Sequence, residues 1–151
     1  MANFVLGMNC KLYYCTTLLD GGSNTPATLS WLEMDNIQDL NQNLETGEAD
    51  ISTRANSGWE ATAATLKNGA IEFEALWKPS DTAFEAFKDA WLNATEIAVM
   101  ALDGSKATSG NQGLASNFSV TNFSRSEPLK EAVKVSVTLK PSSYSEWYKV
   151  T

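Results

Sequence analysis

Few residues in this chain could do chemistry. Histidine is absent, which removes the commonest general base, the serine and cysteine triads built on it, and the usual zinc ligand. Cys10 and Cys15 are the only cysteines, too few for a four-ligand zinc site. On one extended strand they would stand about 16 Å apart on opposite faces, beyond disulfide reach, so both read as free thiols. Neither a GxxxxGKS/T phosphate loop nor a GxGxxG fingerprint occurs.

Paired carboxylates are the remaining route to catalysis. Glu72 and Glu74 would share one strand face about 7 Å apart, a separation that glycosidase pairs use. A solvated strand face explains the same pattern and is the reading adopted. Asp35, Asp39, Glu45, Glu48 and Asp50 are calcium-type donors, but their spacing is not that of an EF-hand loop. Phe84, Phe87 and Trp91 could wall a ligand pocket, and at helical spacing they read as core. Asn93, Asn117 and Asn122 open glycosylation sequons. These are discounted, because Met1 to Phe4 lacks the basic and apolar regions of a secretory signal and the chain is expected to be made in a cytoplasm. No catalytic, metal or cofactor site is therefore expected.

The elements that would position these residues are mostly strands. Residues 4–15 alternate with period two and predict a long first strand, and Leu29 to Met34 predict a second. Asn68-Gly69 is a two-residue hairpin signal that would join residues 59–66 to 70–77. Thr82 with Glu85 is spaced for a capping box, or Ser80 caps directly, and one helix is expected over about 81–92 with Phe84, Phe87, Trp91 and Leu92 on its packed face. Glu96 to Leu102, Leu114 to Ser124 and Ala132 to Lys140 predict three further strands. A single helix cannot supply the crossovers of a parallel sheet. The expected fold is mainly β: an antiparallel sandwich or barrel with one flanking helix, in a single domain spanning 1–151.

Residues 40–62 break this pattern. They are polar, with widely spaced apolar positions, and read as a long projecting loop or hairpin ordered by contacts outside the domain. Arg54 and Trp59 within it are of the types most enriched at interface hot spots. Eighteen acidic against eleven basic residues give a net charge of −7, so the overall field repels nucleic acid and anionic lipid. That charge suits either solubility or a surface past which a polyanion slides. No apolar run approaches the roughly 20 residues of a membrane span.

Several ordered phrases resemble the major tail tube proteins of long-tailed bacteriophages and phage-derived particles. They are Glu48 to Asn56, Trp59, the expected hairpin around Asn68-Gly69, Phe73 to Trp77 with the helix that follows, Ala101 to Gly104, Gln112 to Leu114, Phe118 to Ser124, Glu127 to Leu129 and Val135 to Pro141. The resemblance covers roughly residues 45–141. It implies a structural subunit that assembles with itself into hexameric rings, whose sheets join into one inner barrel. The rings would stack into a tube conducting DNA without specific binding, in a virion tail assembled in the host bacterial cytoplasm with initiator and terminator proteins. Glu48, Asp50, Arg54 and Trp59 would then contact a neighbouring subunit or ring. A monomeric β-sandwich that binds carbohydrate or peptide through its Trp and Tyr residues is the alternative.

Overall fold

The computed structural model describes residues 4, 6–78 and 80–151. Among these, seven strands and one helix follow in order: β1 (Lys11–Cys15), β2 (Leu32–Met34), β3 (Ile37–Asp50), β4 (Thr62–Leu76), α1 (Thr82–Leu92), β5 (Glu96–Leu102), β6 (Gln112–Ser126) and β7 (Lys134–Lys149). All seven strands join one antiparallel sheet in the order β2-β1-β5-β6-β7-β4-β3.

The sheet curls because its two edges are neighbours in sequence. β2 and β3 are the edge strands, yet only Asp35 and Asn36 connect them, a link that spans at most about 11 Å. The edges are thus drawn together without pairing, and the sheet stays open along that seam. The mainly β antiparallel body with one helix is as the sequence predicts; within one subunit the sheet does not close into a barrel.

Inside the curl lie Leu12 and Tyr14 of β1, Ile97 and Val99 of β5, Phe118 of β6, Val135, Val137 and Leu139 of β7, and Ile71 and Phe73 of β4. The helix fills the space between the two halves. The Phe87 ring stands 5.8 Å from Tyr14 and 5.5 Å from Phe73, at tilted and edge-on angles, and Trp77 stacks on Phe84 at 5.1 Å. The outer face of β1, β5 and β6 is also covered. Leu19, Leu29 and Trp31 from the segment after β1, with Tyr144 and Tyr148 of β7, pack on Tyr13, Ala98, Met100 and Ala115. Burial on both faces explains why β5 reads as a continuous apolar run rather than an alternating one.

β7 bends sharply at a bulge. Pro141 pairs with Phe118 and Ser145 with Ser116, so residues 142–144 together oppose Asn117 alone. Ser142 and Ser143 donate to the Glu96 carboxylate, and Ser116 Oγ donates to the Tyr144 carbonyl oxygen at 2.7 Å. Pro141, which has no N–H to give, sits at the start of that bulge.

Local predictions differ from the structure at several points, and the last strand runs over Lys134–Lys149 rather than ending at Lys140. The first strand is only Lys11–Cys15, because Gly7–Asn9 form a 3-10 turn; Val5 lies outside the described residues. The second strand shortens to Leu32–Met34. Asn68-Gly69 is not a turn: both residues lie mid-strand in β4, opposite Glu45 and Leu44. A Cβ on Gly69 would stand 2.7 Å from Leu44 Cδ2 and 3.0 Å from the Asn43 carbonyl oxygen, so glycine fits there with the least displacement. Asp81 rather than Thr82 or Ser80 caps the helix, accepting from Ala83 N at 3.0 Å. Trp91 and Leu92 are left 47% and 62% exposed, and Ala83 and Ala90 join Phe84 and Phe87 on the packed face instead.

Candidate assembly surfaces

The polar stretch 40–62 is a projecting hairpin: residues 40–50 belong to β3, 51–61 form its tip and Thr62 opens β4. β4 pairs with β7 only through Ile71–Leu76, so residues 43–50 of β3 and 62–70 of β4 pair only with each other. They form a two-stranded arm about 27 Å long beyond the body. Two-stranded ribbons are marginal in water by themselves, and this one exposes Leu44, Ile51, Trp59 and Leu66.

The tip of the arm is built, not loose. Asp50 Oδ1 accepts from Ser52 N at 2.9 Å, and hydrogen bonds from Ser52 hold its carboxyl below the usual range. Ile51 N donates to the Ala61 carbonyl oxygen at 3.0 Å, and Ala61 N to Ser52 Oγ at 2.8 Å. Thr53 Oγ1 accepts from Ala55 N at the start of a 3-10 turn over Arg54–Asn56. Ser57 and Gly58 follow in left-handed conformation, with φ of 54° and 85°, and turn the chain so that Trp59 N donates to Asn56 O at 3.0 Å. This ordered backbone holds the Trp59 side chain 80% exposed.

Of the four residues expected at an interface, the structure puts Glu48 and Asp50 at the end of β3 and Arg54 and Trp59 in the tip. All four lie on the outer arm. Among the described residues none of the three charged ones forms an ion pair.

A second surface is the outward face of β3, β4 and β7. Asp39 lies directly opposite Glu74, and Asn41 opposite Glu72, while Glu74 Oε1 accepts from Ser136 Oγ at 3.3 Å. Like charges opposed across a ladder destabilise a sheet. The alternation of Glu72 and Glu74 is visible in sequence; the opposition of Asp39 is not, because it depends on a bulge between Ile37 and Asp39. Among the described residues no three acids or cysteines converge as metal ligands would, and Cys10 and Cys15 are both free thiols.

The open seam is a third surface, a cleft of about 930 Å³ between β3 and the β1, β2 and β5 side. Its lining includes buried Leu12 and Met34 and the half-exposed Trp147.

The described residues thus form one open sheet with a helix against its inner face, a two-stranded arm and an acidic outer face. A family model described as phage tail tube protein matches residues 18–143. The chain belongs to the phage tail tube protein family. This tail tube protein superposes on the tail of an empty gene transfer agent particle refined with C6 symmetry, with a TM-score of 0.71 at 11% identity over 95% of this chain and 98% of that one. It is similar to the SPP1 tail tube, with a TM-score of 0.69 at 15% identity over 96% and 79%. A chain of the anti-feeding prophage baseplate gives 0.64 at 9% identity over 100% and 99%. At such identities the likeness is one of fold. A sequence search of curated proteins finds no match. As a member of the family, the protein is a self-assembling subunit of a tail tube in a phage-type particle.

Proposed function

We propose that residues 1–151 act as one structural, non-catalytic domain, six copies of which close into a ring, and that stacked rings form a tube through which DNA passes. The observation that carries this reading is the arm. A two-stranded ribbon about 27 Å long with a bare Trp59 at its tip gains from a neighbouring copy the third layer it lacks. Glu48, Asp50, Arg54 and Trp59 are the residues proposed to meet that neighbour.

The six-fold ring is supported by the C6 symmetry of the gene transfer agent tail. The face bearing Asp39, Glu72 and Glu74 is proposed to line the lumen, where opposed acids repel the phosphate backbone and keep DNA sliding. Partners of initiator and terminator type are supported by similar chains in an anti-feeding prophage baseplate and in its tube-terminating cap.

Sedimentation and negative-stain microscopy of the concentrated protein, alone and with a tail initiator complex, test the reading. Rings with six-fold class averages and tubes are expected. Monomers throughout would overturn it in favour of a binding module, and a hydrolase activity abolished by Glu72→Gln would overturn its non-catalytic part.

A further inference from the structure

The exposed tip lies at one end of the arm and the seam cleft borders the other. An arm of about 27 Å is close to the diameter of a small domain, so it carries the tip past its own body. From the geometry and charge of both, we infer that the seam cleft of one subunit receives the arm tip of another, with Trp59 inserted and Arg54 against the acids of the rim. This rests on the proposed role of the arm and adds to it the surface that takes the tip.

Charge favours this occupant. Among the residues lining the cleft are four acids, Glu33, Asp35, Asp39 and Asp103, and one cation, Lys11. Lys11 is already engaged by Glu33 at 2.6 Å and Asp39 belongs to the face proposed to line the lumen, which leaves Asp35 and Asp103 for the tip. Arg54 is the one cation of the tip, set between Asp50 and Glu60 at its two ends. A chain with a net charge of −7 has few surfaces where a copy of itself is attracted rather than repelled, and this pairing is one.

Shape and polarity agree. A cleft of about 930 Å³ has the size of sites that enclose whole ligands, roughly 300 to 1,000 Å³, and takes a turn of chain together with its indole. Leu12 and Met34 in its lining are apolar, and Trp147 is 57% exposed.

Cys10 is exposed and lies in the cleft lining, so it reports the contact directly. A Glu60→Cys, Cys10→Ser double variant, which keeps Trp59, is mixed into an excess of wild-type subunits and the mosaic tubes are treated with a short bis-maleimide. A covalent dimer joining variant to wild type is expected in tubes and absent from unassembled subunits. A second arm reverses charge: Asp35→Lys with Asp103→Lys slows tube growth about tenfold or more, and adding Arg54→Glu restores it. Mosaic tubes without the dimer, or charge reversal without rescue, overturn the docking and assign the cleft to another occupant. Neither result touches the role of the arm itself, which falls only if Trp59→Ala subunits grow tubes of normal length.

Discussion

The side-chain amide of Asn117 takes the place of a neighbouring strand for Leu19: Leu19 N donates to Asn117 Oδ1 at 2.8 Å, and Asn117 Nδ2 donates to the Leu19 carbonyl oxygen at 2.8 Å. A third bond runs from Nδ2 to Ser143 Oγ at 3.0 Å. One buried residue therefore ties the segment after β1 to both β6 and the bulge of β7.

Asn117→Ala leaves both backbone groups of Leu19 buried without partners. It should cost about 2 to 4 kcal/mol, because unmade buried hydrogen bonds cost more than made ones contribute. The urea midpoint should fall with an unchanged slope. A midpoint equal to wild type would show that water replaces the amide without loss.

Two glycines should respond differently to alanine. A Cβ on Gly113 would lie 1.6 Å from the Ala101 carbonyl oxygen, backbone that no rotamer can move, whereas on Gly69 the first obstacle is the end of the Leu44 side chain. Gly113→Ala should therefore cost roughly 4 kcal/mol or more and yield unfolded or insoluble protein. Gly69→Ala should cost about 1 to 2 kcal/mol. Thermal melts of the two side by side distinguish the cases.

Trp59→Ala should separate folding from assembly. The indole is 80% exposed, so unfolding free energy should stay within about 0.5 kcal/mol of wild type. Tube growth, followed by microscopy on the same sample used for circular dichroism, should stop.

Glu74→Gln should stabilise the isolated subunit and impair the assembled one. Removing one of two opposed acids relieves like-charge repulsion worth about 0.2 to 1 kcal/mol. If the face lines a lumen, particles carrying the variant should assemble and then release DNA more slowly at low salt. A variant that is more stable and releases DNA at the normal rate would remove this face from the lumen.

Much of the local structure is legible in the sequence. The helix expected over about 81–92 spans Thr82–Leu92, since a capping side chain and 3.6-residue spacing act within a few neighbouring residues. β5 begins and ends at Glu96 and Leu102 as expected. Arg54 lies in the 3-10 turn of the tip and Trp59 is exposed beside it, but the sequence alone does not say what either would touch. Trp91 misleads because helical spacing marks a stripe but not its width, and neighbouring alanines allow closer packing than an indole.

Residue types and their spacing establish chemistry by exclusion and class by pattern: no histidine, so no histidine-based catalysis, and period-two runs with one helix, so an antiparallel β body. Which strands pair, and in what register, is a property of the folded chain. That pairing turns Asn68-Gly69 from a turn into mid-strand, sets Asp39 against Glu74, and brings the β2 and β3 edges together around a cleft. It also buries Asn117, which a sequon would have put outside. The reason is physical. Alternation within a strand says which side chains share a face, but which partner lies alongside and which face meets the core depend on residues far away in the chain, and a shift of one position reverses every side chain.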